Sequence, residues 1–403
     1  MTVPGIAPDT AEAPRIPPTV YILTLAQALA MTGVSMVTLT TGLAGTYLAA
    51  DPKLATMPLA VQFLATMLAT FPAAMVMRRY GRRPGFTMGQ VIGVAGALVS
   101  VLALTKGSFP ILTAGGVLLG IHNAFWGYYR FAAAEAAGPG LKNRALSFVM
   151  GGGVLAAVAG PELAKHTRDL MEPIMFAGCY AVIAGLCVVN VLLIQAARFT
   201  PPVSAAERAS TGRPLAEIIS QPRFIAAVTS ALVGYGVMIL VMAATPISMI
   251  DCGLTFNDAA FVIQWHGLAM FAPSFFTGAL IQRFSALRII VAGLVLNVAC
   301  MALHMTGTDF SNFWAGLVAL GLGWNFMYVG ATSLLTECYL PEEKDKAQAA
   351  NDTLVFAAIT VATFASGALQ NTYGWQAVNA AIALPLLLAF IAVLGARKRP
   401  AMA

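Results

Sequence analysis

Arg130 is the one basic residue of this chain set deep in a long apolar run. A charge in such surroundings is costly and is kept where it faces a cavity or a partner. On a helix, Asn123, Trp126, Gly127 and Arg130 fall at i, i+3, i+4 and i+7 and share one face. A guanidinium on that face binds an anionic or acceptor-rich group; the alternative is an ion pair with a carboxylate of a neighbouring helix. A matching face later in the chain holds Asn325, Tyr328, Val329 and Thr332, with Trp324 beside it. Asn amides read the donor and acceptor edge of a ring, and Trp and Tyr stack on its plane. The two faces together suit a planar, polar ligand. Aromatic packing and interhelical hydrogen bonding by Asn are the structural alternative.

Gln62 and His266 extend the list, the latter flanked by Gln264 and Trp265. An imidazole titrates near neutral pH, so His266 suits either substrate binding or proton carriage; a buried interhelical hydrogen bond is the competing role. Asp352 and Glu162 lie near the ends of apolar runs and are candidate protonation sites. Other chemistries lack their residues. There is no Walker-type loop, no HExxH and no Ser/His/Asp arrangement, so neither ATP hydrolysis nor intramembrane enzymology is expected. The cysteines (179, 187, 252, 300 and 338) show no CxxC or metal-ligand spacing, and no metal or cofactor is implied.

The segments that must hold these residues are dictated by composition. Of 403 residues, 59% are hydrophobic and 10% charged, against about 25% charged in a soluble domain. Mean hydropathy is +0.79. Such a chain is solvated by lipid, and its continuous apolar runs read as helices rather than alternating strands. Spans of about 20 residues are expected at 19–45, 57–77, 86–105, 110–136, 146–164 and 173–196. Six more are expected at 221–247, 257–281, 288–306, 311–337, 348–369 and 375–395. The Pro-rich residues 1–18 and the end 396–403 read as tails, disordered in the first case. The polar stretch 197–220 reads as a linker between six-helix bundles at 19–196 and 221–395.

Twelve spans place eighteen Lys and Arg on the side of the termini and four on the other. The positive-inside rule then puts both termini in the cytoplasm of a cell bounded by a bacterial-type inner membrane. The same rule accounts for the net charge of +6, and no aromatic-interleaved basic stripe points to nucleic acid.

The two halves repeat one plan. Asn123, Glu135 and Arg144 are spaced by 12 and 9, and so are Asn325, Glu337 and Lys346, offset by 202. Gln62 to Arg79 matches His266 to Arg283 at an offset of 204, and Thr32-Gly33-Val34 matches Tyr235-Gly236-Val237 at 203. Parallel repeats of this kind hold substrate near the midplane between them.

The loop Ala74 to Arg83 resembles the Gly-x-Leu-Ala-Asp-Arg-x-Gly-Arg-Arg motif of the major facilitator superfamily. It matches at Arg79, Gly81, Arg82 and Arg83 and departs at Ala74 and Arg78; Gly278 to Ser285 is a worn second copy. The resemblance implies an all-α membrane fold of twelve transmembrane helices in two pseudo-symmetric six-helix bundles. It also implies that Glu135 and Glu337 pair with Arg79, Arg82 or Arg283 as a latch when the cytoplasmic side is closed. Loop stabilisation with Arg144 and Lys346 is the alternative. Gly160-Pro161 is similar to a motif of proton-driven exporters in this superfamily. Asn325 with Gln348 to Asp352 resembles a bacterial group related to riboflavin uptake proteins. The expectation is a monomeric, alternating-access transporter of a small polar, planar or anionic molecule, with protons as the candidate coupling ion. The rivals are an exporter and a non-transporting receptor or assembly factor that kept the fold.

Overall fold

The computed structural model describes residues 16–138, 141–199, 212–340 and 343–397. The expected tails therefore lie mostly outside the described residues, as does the middle of the expected linker. Among the described residues the long elements are helices, which close their own hydrogen bonds where lipid offers none. The first half comprises α1 (Pro18–Leu48), α2 (Met57–Tyr80), α3 (Arg82–Lys106), α4 (Phe109–Trp126), α5 (Tyr129–Ala137), α6 (Lys142–Thr167) and α7 (Ala177–Ala196). A short α8 (Leu215–Ile219) leads into the second half. There follow α9 (Pro222–Asp251), α10 (Phe256–Phe271), α11 (Ser274–Phe284), α12 (Ala286–Thr306), α13 (Phe310–Thr336), α14 (Lys344–Ala380) and α15 (Ala383–Arg397).

Ten stretches of the described residues can each cross a bilayer, and α10 with α11, bent by 43°, makes an eleventh. One of the ten runs for 51 residues, Lys346–Ala396. At 1.5 Å per residue that is about 76 Å of helix, over twice the thickness of a hydrocarbon core. It is interrupted at Gly374, whose φ is 78°, so it supplies two spans and the total is twelve.

The repeat is visible in the turns. Gly81 closes α2 at φ 93°, and Ser285 closes α11 at φ 81° and ψ 150°, 204 residues on. Only glycine occupies that region freely, so the second half makes the same turn with a strained serine. Packing repeats as well. In the first half α1 lies on α6, and α4 on α2 and α3; in the second, α9 lies on α14, and α13 on α10 and α12. Backbones approach closely where α4 crosses α2: a Cβ on Gly120 would lie 2.2 Å from the carbonyl oxygen of Gln62.

The halves meet through α6 with α10, α2 with α14, and α1 with α9. Their polar contacts gather at the face away from the basic loops. There the Thr56 hydroxyl donates to the Thr363 carbonyl at 2.7 Å and accepts from the Gly367 amide at 3.1 Å. Those groups are i and i+4 of α14, so a hydroxyl of one half is inserted into the backbone ladder of the other. Nearby, Arg168 lies 5.0 Å over the ring of Phe256, and Phe176 packs on that ring at 5.7 Å. The apolar core divides accordingly. Residues at the far end of the first half are continuous with the core of the second. Those at its basic end (Val20, Leu23, Met77, Phe86, Tyr129, Ile194) form a separate cluster. The molecule is closed at the far face and parted at the basic one.

Candidate functional site

The span expected over 110–136 is present as Phe109–Ala137, with a local irregularity in its second half. Gly127 and Tyr128 form a turn between α4 and α5, so the proposed stripe does not run on one straight face. Asn123 and Trp126 stay on α4, where the indole donates to the Asn123 amide oxygen at 3.0 Å. Arg130, on α5, is exposed. Its guanidinium lies 4.8 Å over the ring of Phe131, and it has no ion pair among the described residues. It is close enough to interact electrostatically with Tyr235 of α9, Tyr328 of α13 and Asp352 of α14. Tyr128, in the turn itself, also feels both Arg130 and Asp352, and its hydroxyl donates to the Thr70 carbonyl at 3.1 Å. Arg130 therefore lies within electrostatic reach of the second half. Asp352 accepts from the Asn351 amide at 3.0 Å.

The second half contributes an aromatic wall. Trp324 and Tyr328 stack, with centroids 5.2 Å apart and planes 10° from parallel. Tyr235 meets both edge-on at 5.3 Å, and Phe271 meets Trp324 at 6.0 Å. Offset and edge-on aromatic pairs hold one another rigidly; Trp324 is buried within the block, and Tyr328 and Tyr235 are its partly exposed rings. The sequence reading assigned no role to Tyr235, Phe271 or Tyr128. The first stood in view as the counterpart of Thr32 in the repeat.

Other expected ligand residues stand elsewhere. Asn325 is fully buried: its amide donates to the Met270 carbonyl and the Ser274 hydroxyl, and its oxygen accepts from Thr277, all at 2.7 Å. It braces the break between α10 and α11, where Pro273 cannot donate, and has nothing left for a substrate. His266 is buried within the second bundle, with Nδ1 2.8 Å from the Leu317 carbonyl. Trp265 lies on the outer surface, edge-on to Trp314 at 5.9 Å. Gln62 and Asn123 line a crevice inside the first bundle with His122 and Asn190, not the opening between the halves.

At the basic face Arg82 forms a two-pronged bond with Glu135, and Arg223 binds Glu337 at 2.7 Å. Each pair stays within its own half, and Glu337 engages neither Arg283 nor Lys346. Arg83 donates to the Ala197 carbonyl at 2.8 Å. Arg79 and Arg283 fold over their neighbours Tyr80 and Phe284, and Arg144 is exposed. Lys346 donates to the carbonyl of Arg213. Glu162 is held by Lys165 at 2.7 Å at the far end of α6, away from the opening.

Against known proteins, the family model of the Major Facilitator Superfamily matches residues 23–272 and 227–403, both halves. The chain belongs to the major facilitator superfamily. This transporter is 40% identical over 379 residues to the riboflavin transporter RfnT of Brucella anthropi, covering 92% of the chain and 95% of that relative. Two Bacillus subtilis proteins, the uncharacterized MFS-type transporters YddS and YdeG, are 26% and 25% identical over 76% and 88% of the chain. They are covered over 75% and 85% of their own lengths. The chain is thus a multi-pass membrane transporter and not an enzyme.

Proposed function

We propose that this transporter carries riboflavin, or a flavin of the same size and polarity, across the inner membrane by alternating access. The observation that carries the reading is the stacked Trp324–Tyr328 pair, with Tyr328 within electrostatic reach of Arg130 and Asp352. It joins flat apolar faces to one donor-rich and one acceptor-rich group, which suits a ring system with a polar edge. The relative RfnT supports the same substrate. On this reading the basic face is cytoplasmic, and the arrangement described is open to the cytoplasm. Rocking the halves about the midplane would break the Thr56 bridge and close the basic end. Asp352 is the proposed proton-coupling carboxylate.

Uptake in a riboflavin-auxotrophic strain lacking its own transporter tests the substrate. Growth on low riboflavin and flavin accumulation are expected. A well-expressed protein that neither supports growth nor moves riboflavin into or out of proteoliposomes refutes it. Orientation is read from Cys252, exposed at the far face: an impermeant maleimide should label it in spheroplasts and not in inside-out vesicles.

A further inference from the structure

At the basic face a groove of about 670 Å³ lies between α8 and the first turns of α9 and α14. Its walls are largely apolar: Leu215 and Ile219 from α8, Ile225 and Val228 from α9, and Leu354 from α14. Leu215, Ile219, Ile225 and Leu354 are exposed. Three polar side chains enter the lining, Thr229, Thr353 and Lys346, and of these Lys346 alone is charged.

The groove is distinct from the opening between the halves. At about 100° per residue, Lys346, Ala350 and Leu354 occupy one side of α14, and Asp352 points more than about 100° away from each. The two arginines nearest the rim are matched among the described residues. Arg213 binds Glu343 at 2.8 Å and lies 3.9 Å from Glu217, and Arg223 binds Glu337. Lys346 differs: its ammonium donates to the Arg213 carbonyl, which carries no net charge, and no carboxylate pairs with it among the described residues. A largely apolar slot with an ammonium at its mouth, where span ends meet the headgroup layer, is complementary to an acyl chain bearing a phosphate. It is small for a protein partner, holding roughly two turns of helix.

We propose that this groove binds an acidic phospholipid, one acyl chain lying between α8, α9 and α14 and the phosphate on Lys346. The lipid would bridge the ends of two spans and the α8 segment that precedes them. Only the identity of the leaflet depends on the orientation proposed above; the binding itself is independent of the substrate.

Native mass spectrometry of the purified transporter tests this, with phosphatidylglycerol and phosphatidylcholine of identical acyl chains added separately. Phosphatidylglycerol should be retained on the order of five-fold better, the worth of one basic residue near a charged lipid. Lys346→Ala should remove that preference and Lys346→Arg keep it. Ala350→Trp, which fills the groove, should reduce retention of both lipids. Equal retention of the two lipids by the wild type overturns the proposal. So does a preference that survives both Lys346→Ala and Ala350→Trp in variants that melt as the wild type does.

Discussion

Arg130 and Asp352 stand on opposite halves of the molecule, within electrostatic reach of each other but without an ion pair between them. An ion pair between them would satisfy both groups and leave little for a ligand. Held apart, each keeps free hydrogen-bonding capacity. A substrate that engages both ties the halves together and so favours one state over the other.

Arg130→Ala should weaken riboflavin binding on the order of 10- to 100-fold, as expected for a lost charge-assisted hydrogen bond. Asp352→Asn should also weaken it, and the double variant should be no worse than the more damaged single one. Isothermal titration in detergent reads this. Independent, additive losses would show that the two residues do not act as a coupled pair through the ligand.

The aromatic wall makes a second prediction. Stacking on Trp324 and Tyr328 should quench flavin fluorescence on binding, and Trp324→Ala should lower affinity about tenfold, the worth of roughly 1–1.5 kcal/mol from an aromatic pair. Trp265→Ala is the matched control, because that indole stands on the outer surface. Equal losses from the two variants would place the ring elsewhere.

The closed far face is bridged by the Thr56 hydroxyl. Thr56→Val removes the donor to Thr363 and the acceptor for Gly367 while keeping the shape of the side chain. The closed arrangement should lose about 1–2 kcal/mol, a shift of roughly 5- to 30-fold in the balance of states. Thr56→Ser should restore it. Gly367→Ala should mimic the valine variant, because its Cβ would lie 2.5 Å from the Thr56 hydroxyl oxygen. Spin labels on the far ends of α2 and α14 report the distance distribution; an unchanged one in Thr56→Val contradicts the bridge.

The helices were legible in the sequence because a span is a long apolar run, and twelve such runs with alternating basic loops leave little freedom. The opening was legible only in part. Arg130 stood out as a lone charge, and Trp324 and Tyr328 by their place in the repeat. Asn325 had the same sequence signature, yet its amide is consumed by the backbone break beside Pro273. Periodicity assumes a straight helix, so it could not foresee the turn at Gly127 and Tyr128 that separates Arg130 from Asn123. Nor does an apolar pattern tell an aromatic facing the opening from one facing lipid, which is why Trp265 and Tyr235 exchanged roles.

The paired turns offer a stability test. Ser285 sits at φ 81° and ψ 150°, a region costing a side-chain-bearing residue about 1–3 kcal/mol. Ser285→Gly should therefore raise the melting temperature, and Gly81→Ser, at the equivalent turn, should lower it. Thermal unfolding in one detergent compares them. A fall in melting temperature for Ser285→Gly would mean that the serine makes a compensating contact.

The described end of the expected linker is fixed to the second half rather than free. Glu343 is fully buried. It accepts from the Arg213 backbone amide and guanidinium at 2.8–2.9 Å and from the Leu340 amide at 3.0 Å. The Arg213 guanidinium, with these amides, holds its carboxyl down at about 2 from an ordinary 4.5. The folded state thus binds this proton less readily than the unfolded one. Its stabilisation is complete above pH 4.5 and lost as pH falls towards about 2. Glu343→Gln should lower the melting temperature at pH 7 and flatten this acid limb of the stability curve, and proteolysis near residue 212 should accelerate. A variant that is cut no faster, with an unchanged acid limb, would show that the clamp does not hold the linker.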